Sequence, residues 1–305
     1  MTSIEIVALE PAGAEVFGGN LANQTVAETD QIAAAFASFG LLVFRDQIID
    51  ESELISAASK FSSAAPQGQP SPAGQWHAGE TGRVAPTTGT LTALRGHGPT
   101  PDTLFASTYT AFDHLSSATQ RGLEGLHALH VTSQHPDRSS AIRHPLVIRH
   151  PLSGNKALFV NPSTTVGIDE MSDDASLPLL NQLFEHGQSA ACVTRVSWEP
   201  GTVVLWDSRA FWRFESVDTA SDRFVTIEIA GTKLDAAVRP DASDPSLVQR
   251  AGATLAGGII TAAMTGIAEV IEPERARPDV EIVAEAPDRE PLDDGFDFGG
   301  LPPLD

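Results

Sequence analysis

Between residues 4 and 230 the chain is cut into short runs of strand length, most closed by a turn signal, and this restricts the folds open to it. Residues 4–9 alternate apolar and polar side chains, as an opening strand does. Residues 41–47 begin with Leu41-Leu42-Val43-Phe44, long enough for a buried strand and too short for a core helix. Further strands are expected at 88–94, 102–106, 143–149, 156–161, 194–198, 202–206 and 224–229, with Pro200-Gly201 turning between two of them. Helices are expected at 31–38 (capped by Thr29-Asp30 and ended by Gly40), 52–61, 109–115, 119–128 and 177–186. Helices grouped near the start and middle, among many short strands, favour a β-core with attached helices over a doubly wound α/β fold.

Composition narrows the partners. The 305 residues carry a formal charge of −21. Phosphate binding needs clustered Lys and Arg, so nucleic acid and anionic membranes are not expected partners. A single cysteine, Cys192, excludes an internal disulfide and a multi-thiolate metal site, and its neighbours Ala190, Ala191 and Val193 make it buried filler. Met1-Thr2-Ser3-Ile4-Glu5 lacks a signal peptide's basic and apolar regions, so a soluble cytoplasmic protein is expected. After Gly231 the character changes. Residues 249–271 are apolar but small, and read as a helix able to dock on the core or on another subunit. Residues 272–305 hold eleven acids, three bases and six prolines, too little apolar surface to offset chain entropy, and read as a disordered acidic tail. The expected organisation is a domain over 1–233, a linker and apolar helix over 234–271, and the tail over 272–305.

Several segments together carry a family resemblance. Trp76-His77-Ala78-Gly79 and Trp206-Asp207-Ser208-Arg209-Ala210-Phe211-Trp212-Arg213 are similar to the two metal-site segments of an iron/2-oxoglutarate dioxygenase, Trp-His-x-Asp and Trp-Asp-x-Arg-x-x-x-His. Leu42-Val43-Phe44-Arg45-Asp46-Gln47, Asp102-Thr103-Leu104-Phe105-Ala106-Ser107, and His144-Pro145-Leu146-Val147-Ile148-Arg149-His150-Pro151 with Lys156-Ala157-Leu158-Phe159-Val160-Asn161 fall in the same order. So does the run from Trp198 to Asp207. The chain therefore resembles the TauD/TfdA family, whose type member is taurine dioxygenase, over about residues 4–233. The resemblance implies a double-stranded β-helix, or jelly roll, with flanking helices. It also implies a homo-oligomer, or a heteromer with an active paralogue.

The resemblance fails where the chemistry belongs. Iron(II) is held by two imidazoles and one carboxylate, and His-x-Asp works because positions i and i+2 of a strand share a face. His77 keeps its place, but Gly79 stands where the carboxylate belongs. Glu80 is one residue too far unless a bulge intervenes. Some halogenases of the wider superfamily fill such a vacancy with chloride, yet they still need the second histidine. Arg213 stands there instead, a protonated guanidinium with no free lone pair. The arginine that the family pairs with the distal carboxylate of 2-oxoglutarate falls on Thr226, and Arg223 would need a register shift to replace it. Thr103 matches the family's co-substrate threonine, and Arg209 a structural position.

Other polar residues read more simply. His144 and His150 match framework positions. His127 and His130 are expected on one helix face at i, i+3. Tyr109 reads as packing, and Asp113 and Glu124 as solvated helix charges. The expected function is a pseudo-oxygenase without cofactor, its pocket of His77, Gly79, Glu80, Thr103, Arg213, Arg223 and Thr226 taking a small anionic ligand, or the protein assisting an active partner or catalysing a metal-independent step. His77 and Arg213 would supply the positive charge, and Glu80 or Glu215 the acid beside Arg213, with Glu215 poorly placed to curl back. The alternatives are a functional oxygenase with Fe(II), 2-oxoglutarate and rearranged ligands, and an assembly protein acting through its tail.

Overall fold

The fold is organised around Val203–Asp207 (β12), every residue of which is buried. In this computed structural model, residues 4–60, 74–78, 90–96, 101–132, 135–216 and 224–230 are described, with 58–59, 90–96 and 224–230 as backbone only. All of them lie in one of the two units into which the chain divides. The expected elements over 234–271 and 272–305 fall outside the described residues.

The larger sheet contains Glu5–Ala8 (β1), Ala14–Phe17 (β2), Leu41–Phe44 (β3), β12, Thr90–Gly96 (β4) and Phe224–Ala230 (β14), hydrogen-bonded in the order β1-β2-β3-β12-β4-β14. β12 runs antiparallel to both neighbours, with Trp206 opposite Leu41 on one side and Thr92 on the other. Its alternation sorts side chains by face. Val203 and Leu205 pack with Leu42 and Phe44 against Phe36, Ile32 and Leu54 of the helices Val26–Phe39 (α1) and Glu51–Lys60 (α2). Val204 and Trp206 point the other way, into a core with Phe105, Val196 and Phe211 of the smaller sheet and with Trp198. That sheet orders Val193–Val196 (β11), Thr103–Ser107 (β5) and Phe211–Phe214 (β13) as β11-β5-β13. Its outer face carries Ala106 and Trp212, packed on Leu179, Leu180 and Leu183 of Asp173–Gly187 (α5). The architecture is mainly β with flanking helices, as expected. No helix among the described residues is long and apolar enough to cross a membrane.

Two glycines are required by geometry. Gly40 ends α1 in the left-handed region, at φ 68°. A Cβ there would lie 3.1 Å from Ala210 and 3.2 Å from the Phe211 ring, so the helix end seats against the start of β13. Gly201, at φ 85°, would place a Cβ 2.9 Å from the Gln47 backbone nitrogen. Gln47 N–H donates to the Gly201 carbonyl at 2.8 Å, and the Gln47 side chain closes the turn at Gly19 and Leu21.

Several local expectations are corrected. α1 begins three residues before position 29, because Thr25 and Glu28 form a reciprocal capping box that satisfies two backbone N–H groups at once. The helix expected at 119–128 is Ser117–Leu123 (α4), followed by a strand, His127–His130 (β6). Gly125, at φ 88°, follows the helix end. His127 and His130 therefore do not share a helix face: His130 is buried while His127 meets Glu170 and Arg143 at the surface. The run 143–149 divides at Leu146 into Ile142–Pro145 (β7) and Val147–Arg149 (β8). β8 pairs with Lys156–Leu158 (β9), and β6 lies between β7 and Thr165–Ile168 (β10). β2, β10 and β13 carry strands that the sequence pattern did not separate from their surroundings.

Candidate functional site

β13 brings the two altered metal-site segments together. His77 N–H donates to the Arg213 carbonyl at 2.9 Å, and Arg213 N–H donates back to the His77 carbonyl at 2.7 Å. The two residues are thus a directly opposed antiparallel pair. On the far side of β13, Arg213 is opposite Phe105 of β5. Phe211 and Arg213 share a strand face, and Phe211 lies in the inter-sheet core, so Arg213 enters that interior too.

There the guanidinium is fully buried, at 0% exposure. Its carbon sits 4.8 Å from the Trp206 ring centroid, and Nη2 lies 3.3 Å from Oε2 of Glu215. A desolvated cation over an indole face gains about 2 kcal/mol, which partly offsets loss of water. Glu215, two residues beyond Arg213 on the same side, pairs with it after all. The backbone there is held by Gly74, whose N–H donates to the Glu215 carbonyl at 2.7 Å. Burial raises the Glu215 carboxyl pKa and Arg213 opposes the rise.

His77 is 2% exposed. Burial, followed by the charge of Arg213, pushes its pKa down to about 3. At neutral pH it is an uncharged imidazole, so of the two positive or potentially positive groups expected only Arg213 carries charge, and Glu215 is a carboxylate beside it among the described residues.

The other expected residues are distributed as follows. Thr103 is buried on β5, two positions from Phe105, and its Oγ1 accepts from the Trp198 indole N–H at 2.8 Å. A hydroxyl so engaged still has its own proton to donate. Thr226 lies on β14 opposite Leu94, which is opposite Val204 of β12. Gly79, Glu80 and Arg223 fall outside the described residues.

Behind the site is a charged network that sequence reading left unassembled. Asp207 accepts from Arg209 Nη2 at 2.7 Å and Nε at 3.0 Å, and from the Arg209 backbone N–H at 2.9 Å. His150 Nε2 lies 3.1 Å from the same carboxylate. Burial would raise the Asp207 pKa, but Arg209 and then His150 outweigh it and hold the carboxyl well below its usual range. Tyr109 stacks edge-on against His150, and its hydroxyl accepts from Ser153 Oγ. Cys192 is buried, as expected.

Residues 83–212 match the family described as "Taurine catabolism dioxygenase TauD, TfdA family". The match opens after Gly79 and stops one residue before Arg213. The chain is 38% identical over 134 residues to the alpha-ketoglutarate-dependent dioxygenase cnsM of Penicillium expansum, covering 38% of this chain and 37% of that protein. It is 29% identical over 241 residues to the alpha-ketoglutarate-dependent sulfonate dioxygenase of Saccharomyces cerevisiae, covering 65% and 58% respectively. The matched region thus spans under two thirds of either relative. Among solved structures, a taurine dioxygenase from Burkholderia xenovorans superposes with TM-score 0.64 at 25% identity, over 75% of this chain and 90% of that one. AAD-2 in complex with Mn(II) and N-oxalylglycine gives TM-score 0.66 at 24% identity, over 75% and 98%, a likeness of fold.

Proposed function

The chain belongs to the TauD/TfdA family, and from that premise we propose that it is a pseudo-oxygenase: a jelly-roll protein that does not use Fe(II) and binds a small anionic ligand inside the barrel. The observation that carries this reading is the buried guanidinium of Arg213 opposite His77.

The donor set does not fit iron. His77 offers one imidazole, but Arg213 offers no lone pair and a permanent positive charge. A cation beside a divalent metal costs on the order of several kcal/mol, even at an effective dielectric of about 20. Thr226 in place of the family's arginine weakens the case for 2-oxoglutarate as well. Arg213 supplies the positive charge that would draw an anion. The protein would act as a receptor, or beside an active paralogue. The competing reading, a working Fe(II)/2-oxoglutarate dioxygenase, draws on the names of the relatives and on the intact scaffold.

Anaerobic calorimetric titration with Fe(II) and Mn(II), paired with a succinate assay in 2-oxoglutarate, tests this. The wild-type protein is expected to bind neither metal stoichiometrically and to form no succinate. About one tightly bound iron per chain with iron-dependent succinate would overturn the proposal. Gly79→Asp together with Arg213→His is expected to gain Mn(II) binding, and either change alone is not, because two ligands leave the site weak.

A further inference from the structure

Arg213 does not stand alone in the interior, and its companion restricts what an anion there can look like. Glu215 is 8% exposed. Its Oε2 lies 3.3 Å from Arg213 Nη2, longer than the roughly 2.7–2.9 Å of a good charge-assisted hydrogen bond. Its Oε1 is buried and has no hydrogen-bond partner among the described residues. Buried carboxylate oxygens are almost always satisfied, so this oxygen beside a guanidinium is an acceptor that a ligand's donor can fill.

A plain carboxylate entering here meets an attractive guanidinium and a repulsive Glu215 together. A 2-oxo acid fares no better, because its keto oxygen brings another acceptor towards Oε1. A molecule with a donor next to its carboxylate satisfies both groups. Resting on the anion-receptor reading, we propose that the site takes a small 2-hydroxy or 2-amino acid, with Arg213 pairing its carboxylate and Glu215 Oε1 accepting from its hydroxyl or ammonium group.

Matched three-carbon acids test this without demanding a large cavity. Propionate, pyruvate, lactate and alanine are titrated against the full chain by ligand-observed NMR. Lactate or alanine is expected to bind at least tenfold more tightly than propionate and pyruvate, and the better of the two distinguishes hydroxyl from ammonium. Glu215→Gln removes the repulsion, so propionate and pyruvate should gain affinity and the discrimination fall below about threefold. Equal binding of all four acids to the wild-type protein would overturn the donor requirement while leaving the anion site standing. Binding of none of them, to wild type or variant, would sink the anion-receptor reading and this inference with it. The wild-type ranking needs no variant, so it decides the question even if Glu215→Gln fails to fold.

Discussion

Replacing Asp207 by Asn tests the buried network that sets up β13. The carboxylate is 1% exposed and Arg209 is 2% exposed. Three Arg209 donors and His150 converge on the two carboxylate oxygens. Asn keeps the shape and one oxygen, but its amide nitrogen turns a donor towards donors and leaves the guanidinium charge without a counter-ion. Removing one partner of a buried ion pair costs about 3–5 kcal/mol. For a domain of this size, that corresponds to a fall in melting temperature of roughly 6–20 °C. The same turn carries Asp207 N–H to the Gly40 carbonyl and Thr108 N–H to the Ala210 carbonyl, so the loss also loosens the start of the strand bearing Arg213. Thermal and urea unfolding of Asp207→Asn, of Arg209→Met and of the double variant form the assay. The double variant is expected to lose less than the sum of the single losses, because it removes the orphaned charge. A single variant within 2 °C of wild type (roughly the effect of 1 kcal/mol or less), or strict additivity, would refute the reasoning. The pH dependence has a definite sign. The folded carboxyl lies below its unfolded value, so the stability from this pair is present above about pH 4 and is lost as pH falls below it.

Gly187→Ala sets helix propensity against packing. Gly187 closes the last turn of α5, where alanine's propensity gain is below the roughly 1 kcal/mol of a helix interior, and the new Cβ would lie 2.5 Å and 2.8 Å from atoms of the buried Trp212 ring. Overpacking of a rigid ring costs about 1–3 kcal/mol, so a lower urea midpoint is expected, and a stabilised variant would contradict the contact. His130 gives the second pH test. Burial first, then neighbouring His144, push its pKa down to about 3 from 6.5, so the fold holds it neutral. Its contribution is fully present above pH 6.5 and is lost as pH falls from there towards 3. His130→Gln should flatten the urea-midpoint profile in that window, and an unchanged slope would assign acid sensitivity elsewhere.

The sequence by itself determined the strand-rich core, the placement of most strands and four of its helices, and the departures at Gly79 and Arg213. These are local signals: apolar runs of strand length, turn residues such as Pro200-Gly201, and motif positions that survive without knowledge of contacts. It misread residues 125–128 because a helical pattern running past Gly125 is cheaper to continue on paper than in a chain whose glycine turns left-handed. Only the tertiary structure decided that Glu215 pairs with Arg213, that His77 is neutral, and that Asp207, Arg209 and His150 form one network. Those outcomes depend on burial and on packing: Arg213 with Glu215 and Asp207 with Arg209 are sequence neighbours whose side chains the fold turns together, whereas His150 reaches Asp207 across 57 residues. Ionisation is set by how much water remains around a group and by which charge stands beside it. A linear pattern carries the identity of each group but neither of those quantities.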